Sequence, residues 1–228
     1  MLFRFSGCSR AEKPLVQAMI AALAIAWCGS AVWAEVILFD NLAAGSPNGE
    51  YFVSNTQLAA QAFTTTATDA VLSEVSLRFR NLNGTSGEYQ IQIWDSSGSS
   101  GSPGNQVGAA IYTGLAENLG SSTSLLTIPG LSVALGASTT YYLVATGTSL
   151  TVVGTPPFTS DGNLAWGATD VVTSGAYSNG GAGWSGPSTQ SLYMKVSAVP
   201  EPVPATIVTV GLAAGWMRSR RRKARHVT

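Results

Sequence analysis

The sequence predicts an all-β protein: an antiparallel β-sandwich, jelly-roll-like, flanked by an N-terminal signal helix and a short C-terminal hydrophobic helix. Three observations carry this. Apolar and polar residues alternate in short runs, the period of a strand buried on one face. Clusters of Gly, Asn, Ser and Pro separate nearly every run, as turns require. Between residues 35 and 198 no stretch keeps helical spacing.

The ends are set aside first. Arg4, Arg10 and Lys13 form a basic region ahead of the apolar stretch 15–27, and Val32-Trp33-Ala34 offers a signal-peptidase site. Residues 1–34 therefore read as a secretory signal peptide. Cys28 does not read as a lipidation site, because Trp27 stands where that signal needs a small side chain. Residues 35–198 remain, the size of one domain and long enough to bury a core.

Within that domain the first apolar run is Val36-Ile37-Leu38-Phe39, ended by a turn-prone stretch, 45–49. A β-branched and aromatic run lies in 59–66. Residues 71–80 alternate: Val75, Leu77 and Phe79 face inward, while Glu74, Ser76, Arg78 and Arg80 face water. Residues 88–95 repeat the device, with Tyr89, Ile91 and Ile93 inward and Gln90, Gln92 and Trp94 outward. A Ser/Gly/Pro loop follows at 96–105. Further strands are expected at 107–113, 124–128, 131–135, 140–145, 164–168 and 191–197. Roughly eight to ten strands fit a sandwich of this length.

Charge and cysteine usage narrow the function. The net charge is zero over the whole chain, but residues 35–198 carry ten acids against three bases, a net charge of −7. Such a domain repels phosphate backbones, so no nucleic-acid partner is expected. Cys8 and Cys28 both fall in the signal peptide, leaving the domain without disulfides. The single histidine is His226, near the C-terminus. Ser-His-Asp, Cys-His and His-ligated zinc chemistry are thereby excluded from the domain.

The C-terminal stretch 199–228 reads as an address. Pro200 and Pro202 hold the backbone around Glu201 extended. An apolar segment follows at 205–217, then Arg218, Arg220, Arg221, Arg222, Lys223 and Arg225. As a helix that segment spans about 20 Å, against a bilayer core of about 30 Å. The basic cluster would stay cytoplasmic, leaving the domain outside. A permanent anchor and a temporary one, cut near Pro200-Glu201-Pro202, both fit; the shortness favours the second. An ordinary core helix does not fit, because the last eleven residues hold six bases.

These residues carry a resemblance. Val199-Pro200-Glu201-Pro202, the apolar segment with Gly211-Leu212, and the terminal Arg218, Arg220, Arg221 and Arg222 resemble the PEP-CTERM sorting signal. The domain resembles the choice-of-anchor R family of bacterial surface proteins. It does so through Ala60-Gln61-Ala62-Phe63-Thr64-Thr65, Ile93-Trp94-Asp95 and Ser102-Pro103-Gly104, and through the stretch from Leu135-Gly136-Ala137 to Tyr141-Tyr142-Leu143-Val144. The final run Leu192-Tyr193-Met194-Lys195-Val196 leads into the signal. The resemblance implies export by the Sec translocon and signal peptidase, an inner-membrane intermediate, and processing by an exosortase. The setting it implies is the cell surface or extracellular matrix of a Gram-negative bacterium, among exopolysaccharide or biofilm. It implies a fold and no activity.

Lys195 reads as an outward, solvated side chain. Gly181-Ala182-Gly183-Trp184-Ser185-Gly186 matches a dinucleotide pattern but lies in a loop, with Pro187 next and no helix to open. Asp95, Asp161 and Asp170 could pair as glycosidase carboxylates or, with Asn163, ligate calcium. Otherwise they are turn formers. Trp166, Tyr177 and Trp184 sit in a Gly-rich region and are candidates to stack on sugar rings, or else to cap the core. Thr64-Thr65-Thr66 and Thr68 lack the repeat an ice-binding ladder needs. The reading is a non-enzymatic surface or matrix protein without a cofactor. A carbohydrate-binding module is the alternative, and a glycoside hydrolase the second.

Overall fold

The computed structural model describes residues 34–44, 49–152, 163–170 and 175–201, all within the unit Ala34–Thr228. The two expected terminal helices lie outside these residues. Along the chain the strands are β1 Val36–Asp40, β2 Glu50–Val53, β3 Leu58–Thr64, β4 Ala70–Asn81, β5 Thr85–Ser86, β6 Glu88–Asp95, β7 Tyr112–Leu115 and β8 Ser124–Leu135. They continue with β9 Thr140–Gly147, β10 Thr151–Val152, β11 Leu164–Thr169, β12 Ala176–Asn179, β13 Trp184–Ser185, β14 Ser191–Leu192 and β15 Met194–Pro200. Among the described residues no helix is long and apolar enough to cross a membrane.

The strands pair antiparallel into two main sheets, as the alternation predicts. The larger has seven strands in the order β1-β15-β4-β11-β14, with β2 also on β11 and β8 also on β4. The smaller has six, in the order β13-β12-β3-β9-β6-β7, and β10 with β5 forms a ribbon. Their inner faces meet in one core. Leu72, Val75, Leu77 and Phe79 of β4 are fully buried there with Tyr89, Ile91 and Ile93 of β6 and Leu143 of β9. Each such side chain stabilises the fold by about 1.5–3 kcal/mol when removed from water. The Phe79 ring lies 5.5 Å from that of Tyr89 and 6.4 Å from that of Trp166. Burial raises the Tyr89 phenol above its ordinary value, with Tyr112 adding to the shift.

Three expected elements change form. Residues 124–128 and 131–135, expected as two strands, are one strand, β8. The Pro129-Gly130 pair between them is a bulge: the register on β4 jumps between Leu72 and Glu74. Gly130 has φ +71° there, and Pro129 is tolerated because β8 pairs with β4 alone. Residues 107–113 are strand only from Tyr112; upstream, single bonds from Val107 N–H to Ile93 O and from Ile111 N–H to Ile91 O hold the chain along β6. The run 191–197 breaks at Tyr193, whose N–H donates to Gly167 O while its carbonyl accepts from Arg78 N–H.

The outer face of the larger sheet is polar, as the alternation of β4 implies. Arg80 holds Glu50 through two 2.6 Å bonds, which raise the guanidinium pKa. Lys195 pairs with Glu74 at 3.5 Å.

Candidate functional site

The outer face of the smaller sheet is different. Alternation along β6 places Gln90, Gln92 and Trp94 on it, and register carries the rows across. Trp94 stands opposite Tyr142 of β9, Gln92 opposite Val144, and Gln90 opposite Thr146. On β3 the neighbours are small, Ala62 beside Tyr142 and Ala60 beside Val144. Tyr177 of β12 pairs with Ala60, and Asn179 pairs with both Leu58 and Trp184. Small residues in the middle leave room for rings above them. Ala60, Tyr142, Val144 and Tyr177 form a second buried cluster, with Trp94 and Trp184 packed on it.

The rings are locked edge to face. Trp94 and Trp184 centroids are 5.8 Å apart at 83°, and those of Tyr142 and Tyr177 are 5.4 Å apart at 86°. Each such pair contributes about 0.5–1.5 kcal/mol beyond its burial. Burial, with Tyr177 beside it, raises the Tyr142 phenol above its ordinary value. That hydroxyl donates to Gly101 O and so ties the 96–105 loop to the face.

An amide relay runs beside the rings. The Trp94 indole N–H donates to Gln92 Oε1 at 2.8 Å, and Gln92 Nε2 donates to Gln90 Oε1 at 2.9 Å. An indole nitrogen can only donate, so it fixes the direction of the whole chain of bonds. The Gln90 amide nitrogen ends the relay.

The expected site residues separate. Trp166 is 0% exposed, in the core strand β11, and its indole donates to Tyr193 O at 2.9 Å. It cannot stack on a sugar: the strand expected at 164–168 is buried on both faces, so its one large ring lies inside. Tyr177 is buried under Trp184 and Tyr142, while Trp184 stays half-buried at the surface. The partner that sequence reasoning left out of the site is Trp94. Its outward phase on β6 was the available signal.

The carboxylates also part. Asp95 ends β6 of the smaller sheet, and Asp170 follows β11 of the larger one, accepting from Gln190 Nε2 at 3.2 Å. Asp95 Oδ1 accepts from Asn105 N–H, Ser97 N–H and Ser97 Oγ, a turn-closing role. The Asn105 bond first, then those from Ser97, hold its pKa below the usual carboxyl value, the wrong direction for a general acid. Asn163 and Asp170 bracket β11, so about 23 Å of extended chain at 3.3 Å per residue separates them. Those two cannot share one calcium ion, whose ligands lie about 2.4 Å away. Asn163 instead bonds through its backbone to the Thr85 hydroxyl. Asp161 lies outside the described residues. Among the described residues no group of three or more His, Cys, Asp or Glu could hold a metal.

Of the C-terminal motif, Val199 and Pro200 belong to β15 and pair with Val71 and Ala70. Glu201 is exposed, and its N–H donates to Asp69 O at 2.8 Å. Pro202, Gly211, Leu212, Arg218, Arg220, Arg221 and Arg222 lie outside the described residues. A cleft of about 570 Å³ opens between residues 107–111 and 130–134 of β8. It is lined by Gly, Ala, Val, Leu and Ile with one serine, and holds no titratable group.

No family model and no curated protein matches this chain. Among solved structures it is similar to "Structure of infectious bursal disease virus Gt strain", at 12% identity and a TM-score of 0.26. That match covers 78% of this chain and 43% of the other, so the chain spans less than half the length of that protein. So distant a likeness bears on neither fold nor function.

Proposed function

We propose that this is a non-enzymatic exported protein of the bacterial surface or extracellular matrix, sorted by its C-terminal stretch. On this reading the sandwich is jelly-roll-like, residues 1–34 are a signal peptide, and the stretch from Val199 is a PEP-CTERM signal carrying the short apolar helix. Sec and signal peptidase export the chain, and an exosortase releases it near Pro200-Glu201-Pro202 from an inner-membrane intermediate. The protein then resides among exopolysaccharide outside a Gram-negative cell.

The supporting observation is how the fold ends. The last strand is the central neighbour of β4, runs to Pro200, and is closed by the Glu201 N–H on Asp69 O. Everything after it is the basic-ended apolar stretch. A domain whose described strands close at Pro200 can be folded outside the membrane while its tail is still held, and keeps every described core residue when the tail is cut.

Cell fractionation with mass spectrometry of the mature C-terminus tests this. The expected product is extracellular and ends close to Pro202. Exported protein that still carries Thr228 would rule out processing and leave a permanent anchor. Protein retained in the cytoplasm would overturn the reading altogether.

The second reading, a carbohydrate-binding module, is favoured by the aromatic face of the smaller sheet. A glycoside hydrolase is disfavoured by Asp95 and Asp170 lying on different sheets and by the depressed Asp95 carboxyl.

A further inference from the structure

We infer that the face built by Trp94, Trp184, Gln92 and Gln90 binds a neutral polysaccharide, with Trp94 and Trp184 as stacking rings and the Gln90 amide as the leading hydrogen-bond donor.

Leaving such a face in water is costly. Two indoles are partly exposed side by side on a sheet whose inner face already supplies the core. The ring pair sits on small residues, Ala60 and Ala62 among them, so it is held at fixed height above the sheet. A rigid aromatic surface loses little freedom on binding, which is what a weakly adhesive ligand such as a sugar requires. The C–H faces of pyranose rings are apolar and complement an indole, while their hydroxyls need amides and alcohols at the rim.

The rim supplies those groups in an ordered way. The relay from Trp94 through Gln92 ends at Gln90, and each bond polarises the next, strengthening the last donor. Among the described residues the Gln90 amide nitrogen donates to no protein acceptor. Thr146 stands beside it on β9, and Asn179 beside Trp184 on β12.

Charge selects the ligand class. From the Gln90 row to the Trp94 row, across β6, β9, β3, β12 and β13, no side chain on this face is ionised; Glu88 stands one row beyond. The surrounding domain is strongly acidic. An anionic polymer such as a polyuronate would meet repulsion and, among the described residues, no cation on the face. A neutral glycan meets neither.

That ligand class rests on the extracellular setting proposed above. Export is read by fractionating cells, whereas binding is read on purified protein, so either can fail alone.

The test is affinity electrophoresis of the full chain in mild detergent, through gels containing a neutral β-glucan, a mannan, a galactan or a polyuronate. Tryptophan fluorescence titration gives the dissociation constants. At least one neutral polymer should retard the protein, and Trp184→Ala should weaken binding about tenfold. Trp94→Ala should do the same, and Gln90→Ala should weaken it by a smaller factor. If Trp94→Ala fails to fold, Trp184→Ala on the two-residue strand β13 and Gln90→Ala decide the matter. Three results would overturn the assignment: no retardation by any neutral polymer, retardation indifferent to Trp184→Ala and Gln90→Ala, or stronger retardation by the polyuronate.

Discussion

The Gln61 side-chain oxygen accepts a hydrogen bond from the Leu192 backbone N–H at 2.7 Å, across the interior of the sandwich. Gln61 lies on β3 of the smaller sheet and Leu192 on β14, which reaches the larger sheet through β11. Both are fully buried. The amide gives a two-residue strand an acceptor from the opposite sheet, so it staples the layers as well as satisfying a donor. Gln61→Ala should cost about 1–3 kcal/mol for the orphaned N–H alone, with a cavity added. Each kcal/mol should lower the melting temperature by about 2–4 °C in a domain of this size. Gln61→Leu restores volume without an acceptor and should recover only the packing part. Thermal unfolding followed by circular dichroism reads both, and unchanged midpoints would remove the staple.

Trp166 and Trp184 make a contrasting pair. Trp166 packs on Phe79 and bonds Tyr193 O, fully buried. Trp166→Ala should cost about 3–5 kcal/mol, and Trp166→Phe far less, the loss being mainly one hydrogen bond of about 1 kcal/mol. Trp184→Ala, at a half-buried site, should cost less than Trp166→Ala. Urea denaturation ranks the three variants. If Trp184→Ala were the more destabilising, the assignment of one ring to the core and the other to the surface would be wrong.

How legible each element is in the chain follows from what it faces. β4 and β6 were legible because each has one dry face and one wet or lightly covered face, which prints alternation into the chain. β11 was expected as a strand, but all six of its residues are buried, and a strand buried on both sides carries no alternation to say where Trp166 points. Its place in a Gly-rich region made Trp166 a candidate surface ring. Trp184 was recognisable as a surface aromatic. Its partner Trp94 lies ninety residues earlier, and only the folding of β13 over β6 makes them one surface. Pro129-Gly130 has the chemistry of a turn, and only its place on an edge strand turns it into a bulge. The calcium candidates posed a similar problem: turn-closing Asp and ligand Asp have the same local sequence.

Asp95 gives a pH signature. Donors from Asn105 and Ser97 hold its folded pKa below the ordinary carboxyl value. A depressed folded value means its stabilising effect is complete above the unfolded pKa of about 3.9. The effect is then lost as pH falls through the folded value. Asp95→Ala should therefore have a lower urea midpoint than the wild type at neutral pH, and the gap should narrow at acid pH. Asp95→Asn, which keeps an acceptor without the charge, should fall between them at neutral pH. A gap of the same size at both pH values would assign the loss to loop packing rather than to the carboxylate.

Gly87 sets a local limit on the smaller sheet's edge. Its φ is +104°, and a Cβ there would run into the Ser149 carbonyl. At Gly130, φ is +71° and a Cβ would meet nothing within 4 Å. Gly130→Ala should thus carry only the conformational cost of about 1–2 kcal/mol. Gly87→Ala should cost clearly more, because backbone must move as well. Comparing the two melting temperatures separates strain from collision, and equal losses would contradict the close approach of residues 87 and 149.

The end of β15 makes the last prediction. Val199 and Pro200 pair with Val71 and Ala70, and the Glu201 N–H closes on Asp69 O. Asp69 also accepts the Ala137 N–H on its Oδ1 at 2.7 Å, so one residue fastens both the end of β15 and the β8–β9 turn. A chain stopped after Ala198 loses those last strand contacts and should be less stable by about 1–2 kcal/mol. A chain stopped after Glu201 keeps them and should melt with the full-length protein. Cutting upstream of Val199 would therefore release a weakened domain, and cutting beyond Glu201 an intact one. Equal melting temperatures for the two truncations would mean that the last residues of β15 are bystanders to the fold.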